Sequence, residues 1–432
     1  MKKYDEYKDS GVAWIGDVPK HWEVKQLKWL FYNLDNLREP ISADKRERTN
    51  PQYEYYGASG VIDKIDYYNV DDRVLLIGED GANLVFRNLP LIYKAEGKFW
   101  VNNHAHILKP MKNVDYGYMY YTLEAADYST FITGSAQPKL SQSNLELQTL
   151  PVPPYYEQVF IAAYLDTHCA KIDNLISIQQ KRIALLQELK QSVITHAVTK
   201  GLNPNVEMKQ SGVEWIGDVP KHWEVRKIKQ CCNKEQYSIK TGPFGSQLKG
   251  EELMSQGDVS VYSQQNVINN DFNKIRYFVS NKKAKSLSSF YTRANDVLIT
   301  SRGTIGKAAI LQPLYPKGIL HPCLIAIRLD QEVCLPEWLT MYINETDCFK
   351  TDISVNSNAT TIDVIYTGTL KDIYIPIPPI SEQAAIASYL DHKCATIDTS
   401  ISNAQHQIDL LQEYKQSLIT EVVTGKRKVT DN

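Results

Sequence analysis

Pro151-Val-Pro-Pro-Tyr-Tyr-Glu157-Gln158 opens a run that closes on Leu186-Gln-Glu-Leu-Lys190-Gln-Ser-Val-Ile194-Thr195, and the chain writes this stretch twice. The copy, 225 positions later, reads Pro376-Ile-Pro-Pro-Ile-Ser-Glu382-Gln383 and closes on Leu411-Gln-Glu-Tyr-Lys415-Gln-Ser-Leu-Ile419-Thr420. Neither proline nor glycine interrupts Glu157 to Thr199, so the spacing predicts one helix of roughly 40 residues, about 60 Å long. A seven-residue rhythm accounts for such length. Leu165, Ile172, Gln179, Leu186 and Val193 form one line, flanked by Cys169, Ile176, Ile183 and Ala197. In the copy, Leu390, Ile397, Ala404, Leu411 and Leu418 form the line, with Cys394, Ile401, Ile408 and Val422 beside it. Matching seams in one chain predict that the two helices pair as a coiled coil. Burying roughly ten aliphatic side chains per seam, at about 1.5–3 kcal/mol each, outweighs the entropy lost in ordering them. Gln179 breaks the first line where its copy has Ala404; it is either a tolerated polar position or a register-setting one.

A second repeat frames the first. Lys8-x-Ser10-Gly11-Val12-x-Trp14-Ile-Gly16-Asp17-Val-Pro19-Lys-His21-Trp22-Glu23-Val24 returns from Lys209 to Val225, shifted by 201 positions. The two shifts differ by 225 − 201 = 24 residues, so the borders persist while the stretch between them changes. A duplicated unit whose middle was exchanged has this pattern. The Trp-rich block reads as turn and short strand, with its tryptophans in core packing.

At 432 residues, with 43% hydrophobic and 23% charged residues, the chain has room for two to four soluble domains. The N-terminus lacks an apolar signal region and no apolar run reaches membrane-spanning length, so no membrane association and a cytoplasmic location are expected. Seven cysteines, odd in number and without metal-ligand spacing, argue against disulfides and against a metal site. A net charge of −2 excludes a polycation drawn to phosphate by bulk charge. The charge is unevenly spread, however: from Asp271 to Asp330 ten Lys or Arg face three acids.

Residues 29–150 alternate strand-like runs, Val74-Leu-Leu-Ile77 and Ala105-His-Ile-Leu108, with turns such as Gly78-Glu-Asp-Gly81, which predicts a mixed α/β domain. Two segments there carry polar groups suited to base edges: one with Asn102, Asn103 and His104, the other with Gln137 and Lys139. Asn and Gln can bond adenine bidentately, and Lys reaches phosphate or guanine. In residues 230–375 the turn Lys240-Thr-Gly-Pro-Phe-Gly-Ser246-Gln247 exposes short polar groups. Ile299-Thr-Ser301-Arg302-Gly-Thr-Ile-Gly-Lys307 follows a strand but is no phosphate loop, because Ser301 stands where the first glycine belongs and Ala308 where Ser or Thr would ligate magnesium. An arginine at a glycine-bearing strand end can still approach DNA closely, and Ser246, Gln247, Ser301, Arg302, Lys307, Asn356 and Asn358 are the DNA contacts expected in this half. Asn356 and Asn358 stand where Gly134 to Ser141 stand in the first half. Val152-Pro153-Pro154-Tyr155 is close to the Asn/Asp-Pro-Pro-aromatic tetrapeptide of amino-group DNA methyltransferases, but Val152 cannot accept bonds from a target amino group. These prolines end a strand and start the long helix. No catalytic residue is assigned.

Together, the doubled Ser-Gly-Val-x-Trp-Ile-Gly-x-Val-Pro-x-His-Trp opening, the Thr241-to-Ser246 turn, the Ser301-to-Gly306 loop and the doubled Pro-x-Pro-Pro-x-x-Glu-Gln helix start resemble the specificity subunit of a Type I restriction-modification system over nearly the whole chain. The first half lacks the Thr-Gly-Pro-Phe-Gly turn. The resemblance implies two α/β target-recognition domains separated by a long antiparallel coiled coil in a pseudo-twofold internal repeat. It divides the chain into recognition domains at 1–150 and 202–375 and spacer helices at 151–201 and 376–432. It implies as partners double-stranded DNA, two methyltransferase subunits that carry S-adenosylmethionine, and restriction/translocase subunits that use ATP and Mg, with no cofactor on this chain. The readings to be set against it are a self-contained DNA methyltransferase and a coiled-coil scaffold that reads no sequence.

Overall fold

Two helices of 46 and 44 residues, Tyr155–Lys200 and Ile380–Val423, dominate the computed structural model, which describes residues 2–46, 48–356 and 364–429. The chain divides into two compact units: Met1–Gln180 with Gln405–Asn432, and Lys181–Ala404. Each unit holds a mixed α/β domain and a part of each long helix.

In the first unit, Ile161, Leu165, Cys169 and Ile172 from the start of the first long helix share a core with Leu418, Ile419, Val422 and Val423 from the end of the second. Lys415 Nζ lies 2.7 Å from Asp173 Oδ1. In the second unit, Ile194, Ala197 and Val198 share a core with Ile386 and Leu390, and Lys190 Nζ lies 2.8 Å from Asp398 Oδ1. Within each unit an early stretch of one helix meets a late stretch of the other, so the pairing is antiparallel. Both Lys–Asp pairs are half-exposed and add little stability; they mark alignment, Asp398 and Lys415 being the repeat copies of Asp173 and Lys190. Among the expected seam residues, Leu165, Ile172, Leu390, Ile397 and Leu418 are buried, while Leu186, Val193 and Leu411 are half-buried. Leu186 belongs to neither of these cores; two helices with no third layer leave a seam side chain partly open.

The first domain is built on a six-stranded sheet whose strands lie in the order Phe31–Asn33, Ala105–Pro110, Val70–Gly78, Ile92–Val101, Tyr53–Gly57, Gly60–Ile65. In the long strand Val70–Gly78, Leu75 and Ile77 face one core with Tyr118 and Met119, while Val74 and Leu76 face another with Tyr56 and Phe99. Alternation with period two thus gives a strand covered on both faces, which is why the run reads as unbroken hydrophobic sequence. The second domain has a four-stranded sheet in the order Ile239–Thr241, Leu324–Ile327, Val297–Thr300, Ala308–Ile310, and a three-stranded sheet in the order Tyr277–Val279, Val259–Tyr262, Ile319–Leu320.

The repeated borders build the same frame twice. Glu23–Gln26 pairs antiparallel with Thr149–Val152, and Glu224–Lys227 pairs with Tyr374–Ile377 in the same register. The prolines that follow end each strand and start each helix, as the sequence predicts. Both Trp22 and Trp223 are buried completely, and their Nε1–H groups donate to Glu157 (3.1 Å) and Glu382 (3.0 Å) at the starts of the long helices. His21 Nε2 lies 2.6 Å from Glu157, and His222 Nε2 lies 2.8 Å from Glu382. Glu157 also accepts from Tyr4 at 3.0 Å and Tyr156 at 3.2 Å. These contacts explain the separate duplication of His-Trp and of Pro-Pro-x-x-Glu: they are two halves of one clamp. Each donor left unpaired at a buried site costs about 1–3 kcal/mol. Glu157→Ala is therefore expected to lower the urea midpoint of the first unit more than Glu382→Ala lowers that of the second, since Glu382 is more exposed and accepts fewer bonds.

Candidate nucleic-acid interface

In the second unit, the strand Val297–Thr300 ends in a tight loop and returns as Ala308–Ile310. Thr300 N–H donates to Lys307 O at 2.8 Å and Gly306 N–H to Thr300 O at 2.9 Å. Gly303 and Gly306 take φ of +68° and +71°, which favours glycine and lets the chain turn directly after the half-exposed Arg302. The turn after Ile239–Thr241 meets this loop: the Arg302 guanidinium lies 4.6 Å from the centre of the Phe244 ring, itself exposed. Gly242 is required there, because a Cβ would fall 2.2 Å from His321 O. Arg302 Nε is buried and has no partner among the described residues, so the guanidinium is oriented by stacking. The structure thus brings together the two loops singled out in sequence.

Of the expected contact residues here, Ser246, Gln247 and Lys307 are exposed, although Gln247 Oε1 accepts from Phe244 N–H at 3.1 Å and shapes the turn. Ser301 is buried: its N–H donates to Cys323 O and its carbonyl accepts from Ile365 N–H. That placement corrects its expected role as a DNA contact. Asn356 ends the helix Asp347–Asn356, and Asn358 lies outside the described residues. Sequence reasoning missed Phe244 as a stacking partner and Gln264, whose Nε2–H donates to Thr304 O at 3.3 Å. The basic run is partly consumed internally: Lys283 pairs with Glu252, Arg293 with Glu235 and Arg328 with Asp296.

In the first unit, the strand Val70–Gly78 ends at Glu79-Asp80-Gly81, in the place of Ser301-Arg302-Gly303. The correspondence rests on matching bonds. Leu140 N–H donates to Glu79 O and Ile365 N–H to Ser301 O, and Leu140 and Ile365 are again 225 positions apart. Asp80 bridges to Lys139 as Arg302 bridges to Val364. Thr133 and Lys139 exchange two backbone bonds of 2.8 Å, closing a loop that leaves Gln137 exposed. Lys139 Nζ lies 3.0 Å from Glu79, which Arg38 also pairs. His104 Nδ1 lies 2.7 Å from Asp80 Oδ2 while its ring stays half-exposed. Asn103 is exposed. Asn102 is buried, and its Oδ1 accepts from His104 N–H at 2.8 Å; it closes the turn rather than meeting a ligand, a second correction. Arg38, Glu79 and Asp80 were not singled out in sequence. The signal for the acids was present: both loops follow an aliphatic run at a strand end.

Burial pushes the Glu79 carboxyl up, but the hydrogen bonds from Arg38 and Lys139 outweigh it and hold Glu79 below its ordinary 4.5. A depressed carboxylate contributes stability that is complete above the unfolded value and lost as pH falls through the folded one. The melting temperature should therefore decline below about pH 4.5, and Glu79→Gln should flatten that decline. Among the described residues no group of three or more His, Cys, Asp or Glu could hold a metal ion, and no helix is long and apolar enough to cross a membrane.

Known proteins share this architecture. The chain is 24% identical over 426 residues to the MjaVIII specificity subunit of the type I restriction enzyme of Methanocaldococcus jannaschii, covering 95% of this chain and 94% of that one. A chain from a solved assembly of a type I restriction-modification system superposes with a TM-score of 0.67 at 14% identity, over 94% of this chain and 98% of the other. The HsdS subunit of Thermoanaerobacter tengcongensis gives a TM-score of 0.53, also at 14% identity, over 95% and 98%. The family of type I restriction modification DNA specificity domains matches residues 19–188 and again 220–408. Matched twice, over most of its length, the chain belongs to that family of DNA specificity subunits.

Proposed function

We propose that each unit reads one half of a bipartite DNA target, and that the halves differ. The observation that carries this reading is a constant frame around unlike reading loops. Clamp, border strands and the bond to the strand-end carbonyl repeat, yet the loop presents Arg302 over Phe244 in one unit and Asp80 with His104 and Lys139 in the other. Arg is suited to guanine O6 and N7, and Gln137 to adenine. In this reading residues 1–150 and 202–375 are the recognition domains and 151–201 and 376–432 the spacers. The helices set the gap of unread base pairs, one turn more or less changing it by about 5.4 Å.

The long helices also dock two methyltransferase subunits that bring S-adenosylmethionine, and restriction/translocase subunits that use ATP and Mg join them in the cytoplasm. This chain supplies recognition, not catalysis. Mapping methylated positions on DNA modified by the assembled complex tests the reading: two different half-sites at a fixed spacing are expected. One uninterrupted site, or methyl transfer by this chain alone, would overturn it.

A further inference from the structure

We propose that His106 is a positioning residue of the first reading surface, its ring donating from both nitrogens to tie the Thr133–Ser141 segment to the floor of the domain. The inference rests on the reading above and deepens it. His106 is completely buried in the strand Ala105–Pro110. Its Nδ1 lies 2.6 Å from Asp35 Oδ2 and its Nε2 lies 2.8 Å from Leu140 O. A carbonyl oxygen only accepts. Asp35 is also turned toward donors: its Oδ1 accepts from Ile107 N–H at 2.8 Å and its Oδ2 lies 3.3 Å from Arg38 Nη2. With an acceptor at each ring nitrogen, the proposed pin calls for a proton on both.

The arrangement places this buried ring beneath the loop that presents Gln137 and Lys139. Leu140, held through its carbonyl by His106 and through its N–H by Glu79 O at 2.7 Å, follows Lys139 directly. Charges around the ring are nearly matched: Asp35 and Glu79 face His106, Arg38 and Lys139, with Arg38 Nη2 3.3 Å from Asp35. A charge-assisted bond at each nitrogen is stronger than a neutral one, so the pin fixes the depth and direction of the loop.

Among the described residues the second unit has no such pin. His106 pairs with Ile77 as Ile325 pairs with Ile299, and Ile325 is a buried aliphatic residue. The dependence on His106 therefore belongs to one half-site, and the other half-site is an internal control.

The test uses the full chain assembled with its methyltransferase partner and a randomised duplex library. For His106→Gln, discrimination should fall about tenfold at one or more positions of one half-site, the scale of a single lost base-pair preference, while the other half-site keeps its wild-type preference. Preservation of both half-sites in a folded variant, or equal loss at both, would overturn the proposal. If the wild type itself shows no pair of half-sites, the parent reading has failed instead. Should His106→Gln not fold, nitrogen-15 spectra of histidine-labelled wild-type chain decide. A buried histidine with protons on both ring nitrogens at neutral pH supports the pin; His106 with a single protonated nitrogen removes it.

Discussion

Leu165→Asp is expected to cost the first unit more than about 4 kcal/mol, a large part of the stability of an ordinary domain. Leu165 is completely buried where the start of one long helix lies in a common core with the end of the other. The change both deletes an aliphatic group and leaves a carboxylate without a partner. Leu185 provides the comparison, being 65% exposed on the same helix. Leu185→Asp should alter stability by less than about 0.5 kcal/mol. Urea denaturation of the two variants separates the cases, and equal losses would mean that the seam has been assigned to the wrong face. A complex that still formed with Leu165→Asp at wild-type yield would also remove helix pairing as a condition of assembly.

The second large effect is on recognition. Arg302→Ala should weaken specific binding by the assembled complex by about 10–100-fold, the range of one bidentate arginine contact, with assembly unchanged. Fluorescence anisotropy on cognate and scrambled duplexes measures it. Phe244→Leu should cost less, roughly 2–5-fold, because it removes the stacking that orients the guanidinium but leaves the donors in place. Unchanged sequence preference in Arg302→Ala would take this loop out of the interface.

What could be read in sequence was whatever repeats or has a strict period. The helix seam was legible because a seven-residue line runs without proline or glycine; Leu165, Ile172, Leu390, Ile397 and Leu418 are buried, and Leu186, Val193 and Leu411 half-buried. Positions of single polar side chains were not. Asn102 and Asn103 are neighbours of the same type, yet one turns inward to close a bend and the other faces solvent, a difference set by backbone geometry. Ser301 was lost to burial for the same reason. Glu79 and Asp80 read in sequence only as part of a turn; in the structure they orient Lys139, Arg38 and His104. The duplicated His-Trp and Pro-Pro-x-x-Glu blocks were visible as repeats, but that one holds the other through Glu157 and Glu382 required coordinates.

The clamp at the two borders has an evolutionary corollary. Tyr4, His21, Trp22 and Glu157 all lie outside residues 29–150, and His222, Trp223 and Glu382 all lie outside residues 230–375. A gene segment swapped in between such borders would keep this clamp, while supplying for itself the groups that meet the helices, as Tyr118 meets Val423 O and Asp115 N–H meets Gln158 here. An exchanged cassette would thus inherit its anchorage and need only match the few side chains that meet the helices.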